Sequence, residues 1–348
     1  MPVIQDGHLL DFRDVLIKPQ PSSVASRSKV DLRRTIDFKS RGIVWDGVPI
    51  IAANMDTIGT FDVYDVLSEH GIVTAFHKFY SVEDYLIRYA YKPFDPRYFM
   101  ISTGISDDDF EKLSSILNEI ECHWICIDIA NGYLSQLTAF CKKVRQAFPN
   151  KIIVAGNVAT AAGVENLIQQ GGVDVVKIGI GPGSACTTRL KTGVGVPQLS
   201  AIMECAETAH KLGGFVIGDG GITCAGDLAK VFAAGGDFTM IGGLFGGHDE
   251  NPGDIIECDG TGKKYKMFYG MSSKTAMDKH YGGKASYRSS EGRSVKIPYR
   301  GALSETIEDL LGGVRSTCTY LGVDKIEKMP DVAVFQLVHQ QLNTMYVK

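Results

Sequence analysis

From Pro49 onward one pattern repeats: a short apolar run, a Gly or Asn at its end, then a segment whose apolar positions recur at helical spacing. The runs are PIIAAN (49–54), IVTAF (72–76), FMIST (99–103), WICIDIA (124–130), IIVAGN (152–157), DVVKIGI (174–180), FVIGDG (215–220) and FTMIGG (238–243). Continuous apolar runs, rather than alternating ones, predict strands covered on both faces. Between them, Leu134, Leu137, Cys141, Val144 and Phe148 predict a helix stopped by Pro149-Asn150. Another helix is expected after Thr223 as N-cap, with Leu228, Val231 and Phe232 inward and Gly235-Gly236 ending it. Eight such units in about 270 residues predict an α/β fold, a closed (β/α)8 TIM barrel, ahead of an open doubly wound sheet. Gly179, Gly181 and Gly183 form GxGxG rather than GxGxxG and come in the sixth unit, so they do not make a dinucleotide fingerprint. One barrel is expected over 1–348, with an N-terminal lid or short hairpin in 1–48 and a Gly-, Lys-, Tyr- and Ser-rich lid over 246–300. The eighth helix is expected at 301–322.

A net charge of −4 gives no basic field for sequence-independent nucleic-acid binding. No apolar run approaches the roughly 20 residues of a membrane helix, and MPVIQDGHLLDF lacks a leader pattern, so no membrane association and a cytoplasmic location are expected. Eight cysteines without a CxxC pair indicate neither a disulfide framework nor a zinc knuckle, and Cys122 and Cys126 read as core.

A barrel gathers its chemistry at the C-terminal strand ends. Those ends carry Asn54, Met55 and Asp56; His77 and Lys78; Thr103 and Gly104; Asp128 and Asn131; Asn157; Cys186 and Thr188; Asp219 to Gly221; Gly242 and Gly243. The run KIGIGPGSACTTR (177–189) displays Cys186 in a glycine-rich turn beside Ser184, Thr187 and Thr188, a setting for a nucleophile or an ion. DGGI (219–222), IGG (241–243) and YGMSS (269–273) supply glycines and hydroxyls for a phosphate, and Asp219 suits a ribose diol. A phosphosugar isomerase or aldolase would need a Schiff-base lysine, for which Lys78 and Lys177 are the strand-end candidates.

GIGPGSACTTR, DGGI, IGG, FYGMSS and IPYRG resemble the IMP dehydrogenase/GMP reductase family over nearly the whole chain. AANMDT (52–57), AFHKFYS (75–81), DIANGY (128–133) and YRSSEG (287–292) resemble its reductase branch. The segment from Ser81 to Met100 leaves no room for the dehydrogenases' regulatory module, and Tyr287-Arg288 reverses their water-activating Arg-Tyr pair. The resemblance implies reductive deamination of GMP to IMP and ammonia with NADPH, through a thioimidate on Cys186, with Thr188 and Glu291 relaying protons. It implies nucleotide contacts at Asp219, Gly220, Gly221, Gly242, Gly243, Gly270, Met271, Ser272, Arg288, Ser289, Ser290, Glu291 and Gly292. Cofactor contacts would be Lys78, Asp128, Ile129, Ala130, Ile180, Gly181, Met271, Tyr287 and Arg288, with Ser26, Arg27, Ser316, Thr317, Cys318 and Thr319 reaching a neighbour's site in a homotetramer. Carbonyls of Gly181, Gly183, Cys186 and Arg189 would hold a potassium ion. The alternatives are an IMP dehydrogenase without its regulatory module and a non-catalytic purine-nucleotide-binding barrel.

Overall fold

The computed structural model describes residues 7–257, 262–283 and 289–339. Eight parallel strands close into a barrel: β1 (Ile50–Ala52), β2 (Val73–Phe76), β3 (Phe99–Thr103), β4 (Trp124–Asp128), β5 (Ile152–Val158), β6 (Val175–Ile178), β7 (Phe215–Asp219) and β8 (Phe238–Ile241). Each pairs with its neighbour in the chain, for example Met100 with Trp124, and β8 closes on β1 through Met240 and Ile51. β2, β3, β6 and β8 are buried at every position, as strands with interior packing on one face and helices on the other must be. The TIM-barrel expectation is met. The strands are mostly shorter than the apolar runs because the last residues of those runs bend away into the rim loops.

Helices α1 (Phe61–Glu69), α2 (Val82–Tyr91), α3 (Asp107–Glu119), α4 (Ser135–Ala147), α5 (Ala161–Glu165), α6 (Gln198–Lys211), α7 (Ala225–Ala233) and α8 (Leu303–Leu321) surround the barrel. Their starts follow side-chain chemistry: Thr60 caps α1, and Ser81 with Asp84 and Ser106 with Asp109 form capping boxes at α2 and α3. α4 buries Leu137, Phe140, Cys141 and Val144, close to the predicted face. α7 corrects an expectation. Cys224, not Thr223, stands at its N-cap, and Thr223 donates through both its N–H and its hydroxyl to Asp227 Oδ2.

The N-terminal segment forms a hairpin, Arg34–Phe38 against Ile43–Gly47. Phe38 packs on Phe215 at 5.1 Å and Trp45 on Phe238 at 5.0 Å between ring centroids, which stoppers the mouth where these strands begin. The opposite rim is left for chemistry. Val15–Ile17 pairs with Phe335–Leu337, a long-range ribbon with no local signature in the sequence. Between β8 and α8, Ile256–Glu257, Lys264–Tyr269 and Ser294–Pro298 make an antiparallel sheet carrying the helix Lys274–Tyr281, hereafter the insert. No helix of the described residues is long and apolar enough to cross a membrane.

Candidate active site

β6 ends at Ile178 and opens into the turn that bears Cys186. Gly179 has φ +147°, and a Cβ there would overlap the Asp219 carbonyl oxygen. Only glycine fits. Gln198 Nε2 donates to the carbonyls of Ile178 (2.8 Å) and Asp219 (3.1 Å), locking the ends of β6 and β7 together. The Asp11 carboxylate braces the far side, accepting from Gln198 N (2.6 Å) and Arg189 Nη1 (3.1 Å). Gly179→Ala should therefore lower the unfolding free energy by about 2 kcal/mol or more, measured by denaturant titration; a loss within experimental error would show that the turn re-forms elsewhere.

The insert lies across this turn and is held by main-chain pairing. Gly292 bridges to Cys186, Thr187 N donates to Glu291 O (2.7 Å), Arg293 N donates to Ala185 O (2.9 Å), and the Arg293 guanidinium donates to Ser184 O (2.8 Å). That register sets Glu291 Oε2 at 2.7 Å from Thr188 Oγ1, which in turn accepts from Cys186 Sγ at 3.2 Å. A thiol, a hydroxyl and a carboxylate thus form one hydrogen-bonded chain from residues a hundred positions apart. Cys186 is half-buried, whereas Cys122, Cys126 and Cys141 lie in the core, where burial pushes each thiol up to about 12.

Backbone crowds the same turn from three other loops. A Cβ on Gly220 would press on Pro182 and Gly183, one on Gly243 on Ser184 Oγ, and one on Gly270 on the Ala185 carbonyl. Arg300 gathers the carbonyls of Gly243, Leu244 and Gly246 at 2.9–3.1 Å, fixing the turn after β8. Ser290 Oγ donates to Ser272 O (3.3 Å) and Gly292 O (2.9 Å), tying the two arms of the insert.

Inside the rim lies a charged cluster. Lys177 Nζ is 2.6 Å from Asp128 Oδ1 and 3.3 Å from Asp219 Oδ2, while Asn54 donates to Asp128 Oδ2 (3.0 Å) and Asn157 to Asp219 Oδ2 (2.8 Å). Burial alone would depress the Lys177 ammonium, but Asp128 and Asp219 more than offset it and hold its pKa above the ordinary lysine value. A lysine so held is a cation and not a nucleophile, which removes the Schiff-base alternative at this position.

Known proteins resemble this chain over nearly its whole length. Residues 9–343 match the model of the IMP dehydrogenase / GMP reductase domain. The chain is 52% identical over 343 residues to "GMP reductase" of Aliivibrio salmonicida, covering 97% of each chain. It is 50% identical over 347 residues to "GMP reductase 1" of Homo sapiens, covering 99% of this chain and all of that one, and 53% identical over 347 residues to "GMP reductase" of Shewanella halifaxensis, covering 99% of each. The chain belongs to the IMP dehydrogenase/GMP reductase family.

Against the family motifs, the structure brings together Cys186, Thr188, Glu291, Gly292, Ser290, Ser272, Gly270, Gly243 and Gly220 around one turn. Asp219 and Asp128 share Lys177, and Ile129 pairs with Gly156 and Asn157 through the backbone. Lys78 lies over the rings of Phe79 and Tyr281, at 5.9 and 5.8 Å. Tyr287 and Arg288 fall outside the described residues. Ser26 caps the turn Arg27–Lys29, which packs against α8, so it lies beside the helix that carries Ser316, Thr317 and Thr319. Cys318 is fully buried, with burial pushing its thiol up to about 11; its side chain belongs to the core and not to a cofactor surface. The Arg189 side chain turns onto Ile180 O, Val196 O and Asp11, leaving only its carbonyl for an ion.

One cluster in this family member was not expected from the sequence. Asp56 Oδ2, after β1, accepts from Tyr269 OH (2.8 Å), Lys279 Nζ (2.8 Å) and His280 Nε2 (2.7 Å), while the His280 ring stacks on Phe79 at 3.5 Å. Burial opposes the Asp56 charge, yet the donors from Lys279, His280 and Tyr269 hold its pKa below the usual value. The insert is thereby pinned to the rim at a second place. Nearby, burial lowers His77 to about 4, so it is neutral at physiological pH.

Proposed function

We propose that this chain is a GMP reductase, converting GMP to IMP and ammonia at the expense of NADPH. The hydrogen-bonded chain Cys186–Thr188–Glu291 is the observation that carries it, and relatives bearing that name over the whole length support it. In this mechanism the thiol proton of Cys186 passes through the Thr188 hydroxyl to Glu291, and the thiolate adds to C2 of the guanine ring. Glu291 returns that proton by the same route to the departing 2-amino group, the C2–N bond breaks, and ammonia leaves with Cys186 bound to C2 as a thioimidate. NADPH supplies the hydride that reaches C2, and breaking of the C–S bond then releases IMP and restores Cys186. Gly220, Gly221, Gly242, Gly243, Gly270, Met271 and Ser272 offer backbone to the nucleotide, Asp219 takes ribose hydroxyls, Ser289 to Gly292 cover it, and Arg288 is a further contact that the family motif implies.

The rim suits NADPH in its donor set: the Asp128 carboxylate is 34% exposed although tied to Lys177 and Asn54, and Lys78, Ile129, Ala130, Ile180 and Gly181 are the further contacts this reading assigns to the cofactor. The loop suits a potassium ion. Gly183 O and Arg189 O each accept a single backbone hydrogen bond, from Cys186 and Gly193, and so keep a lone pair, and carbonyl dipoles without a carboxylate match a singly charged ion. A homotetramer with shared cofactor sites and a cytoplasmic location complete this reading; the turn Arg27–Lys29 and α8 adjoin within one protomer and would face a neighbour's cofactor together. The test is nicotinamide absorbance. GMP with NADPH should be consumed, whereas rapid NADH formation from IMP and NAD⁺ would replace this assignment by the dehydrogenase.

A further inference from the structure

Lys177 lies in β6 among apolar residues, and 2% of its side chain is exposed. An ammonium there loses several kcal/mol of hydration unless carboxylates replace the water. Two do, at 2.6 and 3.3 Å, and they come from the ends of β4 and β7, strands that do not pair with each other. Asn157 on β5 and Asn54 in the loop after β1 tie the same two side chains, so four strands and that loop contribute to one layer at the top of the barrel. Two carboxylates and one ammonium leave a single negative charge. The other titratable groups facing the cluster are Cys126, whose buried thiol stays neutral, and Lys78. The acid–base relay through Thr188 makes no use of Lys177.

We propose that Lys177 is a positioning residue that keeps Asp128 and Asp219 ionised together, making the cofactor-side and nucleotide-side hydroxyl acceptors one rigid unit. Both oxygens lie within 3.3 Å of one nitrogen. With the ammonium gone, the two carboxylates face one buried spot with no cation between them, and their repulsion and burial favour one of them keeping a proton towards neutral pH. A protonated carboxyl is the poorer acceptor for a ribose hydroxyl. The roles given to the two aspartates rest on the proposed function; the bridge between them does not.

Lys177→Met keeps the stem and removes the charge. Its shared carboxyl proton would titrate above the roughly 3.9 of an unfolded aspartate. A pKa raised by folding gives stability that is present at low pH and lost as pH rises through the folded value. The melting-temperature deficit of K177M against the wild type should therefore be smallest near pH 5 and widen towards pH 8, in about 0.1 M salt without ligand. Adding Asp128→Asn removes one carboxylate and should abolish that widening. By calorimetry, K177M should bind GMP about tenfold more weakly than wild type at pH 6, with the gap narrowing above pH 8. The double variant should bind GMP within about threefold of wild type at both pH values while remaining about tenfold weaker for NADPH. A folded K177M whose deficit is flat with pH, or whose deficit the second substitution leaves pH-dependent, overturns the bridge. So does a double variant that fails to fold, since Lys177 would then serve packing rather than charge. K177M unfolded at every pH beside a folded double variant supports it. Wild-type protein that binds neither GMP nor NADPH counts against the functional assignment alone, because the melting series reads the bridge without ligand.

Discussion

Cys186→Ser is expected to lower GMP turnover by at least about a thousandfold while GMP affinity stays within about threefold. The serine hydroxyl can keep the hydrogen bond to Thr188, so the turn from Gly183 to Thr188 retains its support. What it loses is an accessible anion: a thiol gives up its proton to a base such as the Glu291 relay far more readily than a serine hydroxyl does, and the thiolate is the stronger nucleophile. The two measurements together decide the matter. Steady-state turnover gives the loss, and calorimetry with GMP shows that the site is intact. Turnover by the serine variant near the wild-type rate would eliminate the covalent route.

The second large effect belongs to the lid side of the relay. Glu291→Gln keeps an oxygen to accept from Thr188 but can neither take nor return a proton, and general acid–base catalysis of this kind contributes about 10²- to 10⁴-fold. A loss in kcat of that size is expected, with KM for NADPH little changed because Glu291 is not among the residues proposed to hold the cofactor. If amine departure becomes the slow step, the isotope effect from 4-deuterated NADPH should shrink towards unity in this variant. A kcat within threefold of wild type, or an isotope effect that grows, would remove Glu291 from the proton path.

The barrel was legible in the sequence because strands covered on both faces need apolar residues at every position; FMIST is a strand over those same residues, 99–103. Caps were less so, since Thr223 had an acceptor four residues on, in Asp227, that competed with the expected geometry. Pairings over long separations left no trace: nothing in Val15–Ile17 points to Phe335–Leu337. Within the site, Cys186 and Thr188 stood out by their glycine-rich surroundings, but Glu291 was accessible only through the family motif, because no local periodicity relates it to residue 186. Lys177 did carry a signal, a charge inside a buried apolar run, whose meaning required both aspartates to be seen beside it. The pin at Asp56 joins residues more than two hundred positions apart, and Lys279 and His280 look like ordinary solvated helix positions until that carboxylate is placed next to them.

The pairing of Gly292 with Cys186 also sets what kinds of sequence change this enzyme can absorb. Glu291 reaches Thr188 by virtue of main-chain register, and successive residues of an extended segment point to opposite sides. Substitutions that respect the close approach of Gly292 to Ser273 leave that parity intact. Adding or deleting one residue between 289 and 293 reverses it, turning the carboxylate away from the thiol while every amino acid of the relay is still present. In this short stretch the number of residues matters to the relay as much as their identity.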